Sequence, residues 1–463
     1  MSYCLDARTW AQEQFRSCEL ADKRRTRRLI EVASRMATDP SGSLPDQMES
    51  WSDLKAAYRL FDCDNVTFEA VAQPHWLQTR KRTPGRYLVI NDTTQLNFGL
   101  TRKINGLALT GNNTGRGFLL HTALMVESQT KAIVGVAGQK IHYRQPAPKL
   151  ESDTQRLKRD RESQLWGAMI DAVGPPDDEV QWIHVCDRGA DNFEVFCHLL
   201  EQRSDWVVRA SALHRVILMP DGKRLALKAY LPQLALAGTY ELTLRSRKDQ
   251  PGRKANLEVR FGAVQLPVPP HKSPYLQMRR PRPIATTVVW LREVGAPKGT
   301  VPIEWALYTS LAVTTFDDAW EVIEYYESRW IVEEYHKAIK TGCRVTDRQL
   351  KESDRLEAMM GVATIVAVRL LQLKSIANTK PDQPARQVVP SLWLTMLKAA
   401  RKKLKRIHDL TVKQFYCELA KLGGFLGRTS DGDPGWITIW RGWEKLNALV
   451  RGAVLAETLT KCG

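Results

Sequence analysis

No C-x-x-C pair occurs anywhere in the sequence, and its eight cysteines (Cys4, Cys18, Cys63, Cys186, Cys197, Cys343, Cys417 and Cys462) are scattered without a Cys/His cluster. That spacing excludes a zinc finger and argues against a disulfide framework. Long apolar runs are also missing. The longest, residues 358–368, stops at Arg369 and falls short of the roughly 20 residues a membrane span needs, so it reads as a buried helix. Asp6, Arg8, Glu13 and Arg16 interrupt the stretch that a secretory signal would keep apolar. The expectation is a reduced, cytoplasmic protein with no membrane partner. Internal repeats and low-complexity segments are absent too. Acidic residues are in deficit, 51 against 68 Lys and Arg, for a net charge of +17. Such an excess points to a polyanionic partner.

What is present is ordinary globular material. Apolar residues make up 43% and charged residues 26% of 463, enough for about three units of roughly 150 residues each. The first 70 residues read as helical. Leu29, Val32, Ala33 and Met36 recur at helical spacing directly after the basic run Lys23, Arg24, Arg25, Arg27 and Arg28. Cations at a helix start oppose its dipole, so contact with phosphate is the favoured reading over a solvated surface run.

From about residue 86 the pattern turns to strands: 87–90, 122–126 and 133–136 running on toward Tyr143, then a helix around Leu165 to Ala172, then a strand at 180–186. This order predicts the opening of a ribonuclease H-like α/β fold. Residues 210–310 read as mostly β, an inserted subdomain with basic edges at Arg245, Arg247, Lys248, Arg253, Lys254, Arg279, Arg280 and Arg282. One long helix is expected from about Asp317 to Lys340, and helices from there onward. Near the end, Trp436, Trp440 and Trp443 share a helical face suited to a core or a partner helix. The expected units are 1–70, helical and, from its basic run, DNA-binding; 71–371, ribonuclease H-like; and 372–463, helical, which the resemblance described below would make the dimerising unit.

Three acidic residues carry the chemistry. Asp92 follows the strand at 87–90, Asp187 ends the strand at 180–186, and Glu333 lies in the long helix. Carboxylates at neighbouring strand ends can converge, and a helix beside the sheet can add a third. Three hard oxygen donors suit Mg²⁺, which keeps several waters and shares phosphate oxygens. Taken singly, an Asp at a strand end is more often a turn former. The helix strengthens the case: Tyr326, Arg329, Glu333 and Lys340 fall within roughly a 60° arc of an unbroken helix. An i,i+4 ion pair accounts for Arg329 with Glu333 but leaves Tyr326 and Lys340 unexplained.

The spacing Tyr326-x2-Arg329-x3-Glu333-x6-Lys340 resembles the Y-R-E-K signature of bacterial DDE transposases of the insertion-sequence-four family. The likeness runs through TWAQEQF, ADKRRTRRL, NDTT, VCDRGAD, PKGTVPIEWALYTS, RWIVEEYHKAIKTG, VAVRLLQL and LGGFLGR. It implies a retroviral integrase-like catalytic core and a metal triad of Asp92, Asp187 and Glu333, with Glu334 out of phase. Tyr326, Arg329 and Lys340 would hold transposon-end phosphates, and Trp305 would stack on a flipped base. Arg209 would lie near the site, and Lys23, Arg24, Arg25 and Arg28 would touch DNA. Gly189 and Phe118 depart from the family pattern without removing a ligand. The implied activity is cut-and-paste transposition through a hairpin, dependent on Mg²⁺ with Mn²⁺ as substitute. Its partners would be double-stranded DNA, both transposon ends and target, and a second copy of the chain, at the bacterial nucleoid. Two other readings are a structure-specific ribonuclease H-like nuclease and a DNA-binding relative without turnover. The run Arg401, Lys402, Lys403, Lys405 and Arg406 reads equally as DNA contact or solvated face.

Overall fold

The computed structural model describes residues 6–111, 114–146, 148, 150–152, 155–156, 159, 161–219, 221–244, 252–270, 273–404, 406–428 and 431–462. Helices α1 (Ala7–Phe15), α2 (Lys23–Thr38), α3 (Leu44–Gln47), α4 (Trp51–Phe61) and α5 (Phe68–Arg80) come first. Their starts are written locally: the side chains of Asp6, Asp22, Ser43, Ser50 and Thr67 each accept a first-turn amide, satisfying donors a helix cannot satisfy internally.

The sheet follows: β1 (Gly85–Asn97), β2 (Ala108–Leu109), β3 (Arg116–Glu127) and β4 (Ile133–His142), then α6 (Gln164–Val173), β5 (Val180–Cys186), α7 (Phe193–Glu201) and β6 (Asp205–Arg209). β3 lies antiparallel between β1 and β4, while β5 runs parallel to β1 and β6 parallel to β5. The order β4-β3-β1-β5-β6 thus joins an antiparallel meander to two parallel crossovers through helices.

The chain between β6 and β12 is mostly strand: β7 (Val216–Leu218), β8 (Arg224–Ala226), the short helix α8 (Leu227–Tyr230), β9 (Leu236–Leu244), β10 (Arg253–Leu266), α9 (Pro274–Arg279), β11 (Ile284–Val294) and β12 (Glu304–Thr309). β12 pairs with β6, so these strands continue the same sheet. Of the basic edge, Arg245, Arg247 and Lys248 lie outside the described residues. Arg253 pairs with Glu293, Lys254 with Glu241 and Arg279 with Glu201.

Two expectations need correction. The single helix from 317 to 340 is instead α10 (Phe316–Glu327), α11 (Trp330–Lys337) and a wide π-turn, Ala338–Gly342. At the break the Ser328 hydroxyl donates to the Glu324 carbonyl, and the amides of Arg329, Ile331 and Val332 bond to carbonyls three residues back. That tightens one turn and bends the axis. Second, residue 70 lies inside α5, which packs on β4, and residue 371 lies inside α12 (Ser353–Thr379), so neither is a break in the fold. Of the two roles left open for the C-terminal tryptophans, core or partner helix, the structure shows the core. After α13 (Ser391–Ala400) and α14 (Val412–Leu422), helix α15 (Trp436–Cys462) buries Trp436 and Trp440 and lays Trp443 on Trp393.

Helix α12 is long and apolar enough to cross a membrane by length and composition, but 89% of its most apolar window is buried inside the fold. It packs on α2, α4, α5, β4 and α14 and is the central post of the molecule.

Candidate active site

Strand alternation decides which side chains share a face. Leu88 and Ile90 of β1, Ile183 and Val185 of β5, Val207 of β6 and Leu307 of β12 all belong to one core, together with residues of α10, α11 and α12. Tyr87, Val89 and Trp182 point the other way, toward Met169 and Val173 of α6. Counting on by two brings Asp92, Asp187, Arg209 and Trp305 to the first face. Register aligns them along the sheet. Asn91 opposes Cys186, Cys186 opposes Val208 and Arg209 opposes Leu307, so Asp92 and Asp187 stand one residue past the last paired rung of β1 and β5.

Glu333 enters from α11. Arg329 Nη2 donates to Glu333 Oε1 at 2.8 Å, and Nη1 lies 3.4 Å from Asp92 Oδ2, so one guanidinium spans both carboxylates. Asp92 Oδ1 also accepts the Thr93 amide at 2.8 Å, and Asp187 Oδ1 accepts the Gly189 amide at 2.7 Å. Burial pushes the Asp92 carboxyl up to about 6, opposed by the Thr93 amide and Arg329 and reinforced by the charges of Asp187 and Glu333. That mutual repulsion is the mark of a site that wants a cation. Burial pulls Lys340 below its ordinary value, with the charge of Asp92 opposing. For Arg329, burial works against the charge, but the Glu333 hydrogen bond and the carboxylate charges of Asp92 and Glu333 favour it, and its pKa is raised.

The aromatic group adjoins this cluster. The Trp305 and Tyr326 rings meet edge to face with centroids 5.1 Å apart, and the Arg209 guanidinium lies 5.9 Å from each. Arg209 Nη2 donates to the Glu304 carbonyl at 3.2 Å. Tyr326 is only 4% exposed, its ring covered as the side chains stand. Trp330, which sequence reasoning missed, is 55% exposed with the Arg329 guanidinium 5.1 Å above its ring. The only signal for it was its position in the Arg-Trp pair of the motif. Glu334 turns away to Lys374 of α12, 2.6 Å distant.

The N-terminal basic run is divided. Lys23 and Arg24 are exposed, Arg24 bonding back to Asp22. Arg25 donates to the Leu20 carbonyl and Arg28 pairs with Asp53 at 3.2 Å, tying α2 into its own unit. In the later run, Lys405 lies outside the described residues and Arg401 pairs with Glu418.

Three carboxylates are the right donor type for a hard divalent cation. Among the described residues, however, no group of three or more His, Cys, Asp and Glu is arranged to hold an ion as the side chains stand. Arg329 supplies the positive charge between Asp92 and Glu333. The donor chemistry fits, and metal entry requires the guanidinium to turn outward.

Comparison with known families agrees with this geometry. Residues 7–66 match the transposase DNA-binding family and residues 162–369 the transposase DDE domain, while 365–463 match the transposase Tn5 dimerisation domain. The chain belongs to the DDE transposases, a class of DNA-binding nucleases that use divalent metal and have a ribonuclease H-like fold. Within that class it resembles the transposase of Tn5. Asp187 and Glu333 fall inside the matched DDE region, whereas Asp92 precedes it.

Proposed function

We propose that this transposase works by cut-and-paste: it nicks each transposon end, and the freed 3′-hydroxyl attacks the opposite strand to make a hairpin. The hairpin is then hydrolysed and the end joined to target DNA. Asp92, Asp187 and Glu333 would hold Mg²⁺, with Mn²⁺ able to substitute. The bound metal would supply activation of a water or 3′-hydroxyl and stabilisation of the leaving oxygen in an in-line displacement. The chain's own groups do the rest. Arg329, once turned from Asp92 and Glu333, offers a planar fork to a phosphate. Lys340 adds a point charge beside it. A hairpin strains the terminal base pair until a base leaves the stack, and Trp305 and Trp330 are the shelves available to it. Arg209 would brace Trp305 from over its ring.

The observation that carries this reading is the alignment of Asp92 with Asp187 on adjacent parallel strands, on the face where Glu333 and Arg329 enter. Lys23 and Arg24, with exposed Arg27, are the cations of α2 available to DNA phosphates. We further propose three working units: an N-terminal DNA-binding region, a catalytic centre whose strands at 216–309 form an insertion, and a C-terminal dimerisation region, with α12 shared between the last two. Pairing of two copies would use exposed Leu455 and Leu459 of α15, and the protein would act in the cytoplasm at the nucleoid.

The test is incubation with Mg²⁺ and a duplex carrying the cognate element end. Hairpin products are expected. Simple cuts would favour a structure-specific nuclease, and a mobility shift without cleavage would favour a binder without turnover.

A further inference from the structure

Lys340 sits in the middle of the π-turn Ala338–Gly342, closed by the Cys343 amide on the Ala338 carbonyl at 2.8 Å. Such turns are rare because they pack and bond less well than an α-turn, and they persist where surroundings hold them. Two distant parts of the chain hold this one. Trp436, the first residue of α15, donates its indole Nε1–H to Thr341 Oγ1 at 3.0 Å, and that hydroxyl donates to the Lys337 carbonyl at 2.7 Å. Packing leaves no slack: a Cβ on Gly342 would stand 3.1 Å from both Leu370 and the Trp436 ring. On the other side, Arg348 is 4% exposed and donates Nη2 to the Cys343 carbonyl at 2.9 Å and to the Pro40 carbonyl at 2.8 Å. Its Nη1 donates to the carbonyl of Gly42. Pro40 and Gly42 belong to the loop that leaves α2.

We propose that Trp436 and Arg348 are positioning residues for Lys340, joining the dimerisation helix and the DNA-binding helices to the wide turn that carries this ammonium. The inference rests on the reading of Lys340 as a phosphate-holding group. It gives the wide turn a purpose. If either anchor is absent, the turn is free to relax toward α geometry and Lys340 rotates away. Lys340 would be one phosphate contact among many, so its displacement should weigh on the chemical step far more than on overall DNA affinity.

Thr341 is exposed, so its hydroxyl can be removed with little risk to folding. In the full chain, Thr341→Val, Trp436→Phe, the pair together and Thr341→Ser would be compared for end-DNA affinity and for single-turnover cleavage at saturating protein. Expected is affinity within about twofold of the parent throughout. Cleavage should slow about three- to tenfold for each of Thr341→Val and Trp436→Phe, the worth of one neutral hydrogen bond. The double variant should be no slower than the slower single one, and Thr341→Ser should cleave near the parent rate. Parent-like cleavage in both single variants, multiplying losses in the pair, or a Thr341→Ser rate as low as Thr341→Val would overturn the positioning role. Lys340→Met reads the underlying assignment separately: cleavage unaffected by that change removes the group being positioned. Failure of the unmodified chain to cleave overturns both.

Discussion

Arg329 is the residue on which the candidate site turns. It is held between Asp92 and Glu333, so on the proposed reading the guanidinium that neutralises the carboxylates would leave them for a metal ion and turn to phosphate. Removing one carboxylate should separate binding from chemistry. Asp92→Asn keeps the shape of the side chain and should bind end DNA within about twofold of the parent while giving no detectable nick, hairpin or joined product. Retained cleavage would remove Asp92 from the triad. Trp305 is half-buried, with its ring against Tyr326. Trp305→Ala should slow hairpin formation at least about tenfold more than the first nick, read by product bands over time, because only the hairpin requires an unstacked base. Equal slowing of both steps would make it a core tryptophan. At this scale the sequence was informative about charge and poor on exposure. Two upstream aspartates in phase with the helix motif were readable, but that Tyr326 is covered and Trp330 open depends on β12 packing beside α10.

At the scale of elements, strand alternation was legible and helix continuity was not. Alternation carried Asp92 and Asp187 to one face because a strand has only two. The expected arc of Tyr326, Arg329, Glu333 and Lys340 assumed one helix of constant pitch. The tightened turn at 328–332 and the wide turn at 338–342 change that pitch in opposite senses. Their anchors come from Trp436, more than ninety positions away, and from Arg348, which reaches back to Pro40. The periodic tryptophans of α15 were visible as an apolar stripe, but a stripe does not say what covers it. Here α12 to α14 do, leaving Leu455 and Leu459 at 65% and 75% exposure farther along the helix. Leu455→Glu with Leu459→Glu should therefore abolish the paired-end complex in a native gel while single-end binding persists. Undiminished pairing would move the dimer contact elsewhere.

For the whole molecule, the composition predicted a basic globular protein. The fold explains why four histidines make it sensitive to acid. His75, His121, His184 and His336 are at most 6% exposed, and burial lowers each pKa to about 3 from an ordinary value near 6.5. The unfolded chain takes up their protons first. Above pH 6.5 they cost nothing, and as pH falls from 6.5 toward 3 each subtracts about 1.4 kcal/mol per pH unit. The melting temperature should hold steady from pH 8 to 7 and drop sharply between 6.5 and 5; a flat profile down to pH 5 would mean these rings are protonated in the folded state. The order of the matched families, DNA-binding, DDE and dimerisation, was legible because the quoted motifs occur along the chain in that order. The sharing of α12 between catalytic and C-terminal regions was not, since nothing local marks a helix as common to two units.

The most direct measurement is Mn²⁺ binding to the complex of protein with end DNA, followed by electron paramagnetic resonance, for the parent and for Asp92→Asn, Asp187→Asn and Glu333→Gln. Bound Mn²⁺ in the parent and at least tenfold weaker binding in each variant is the expected result. Equal binding in the parent and all three variants would contradict a metal site built from these carboxylates.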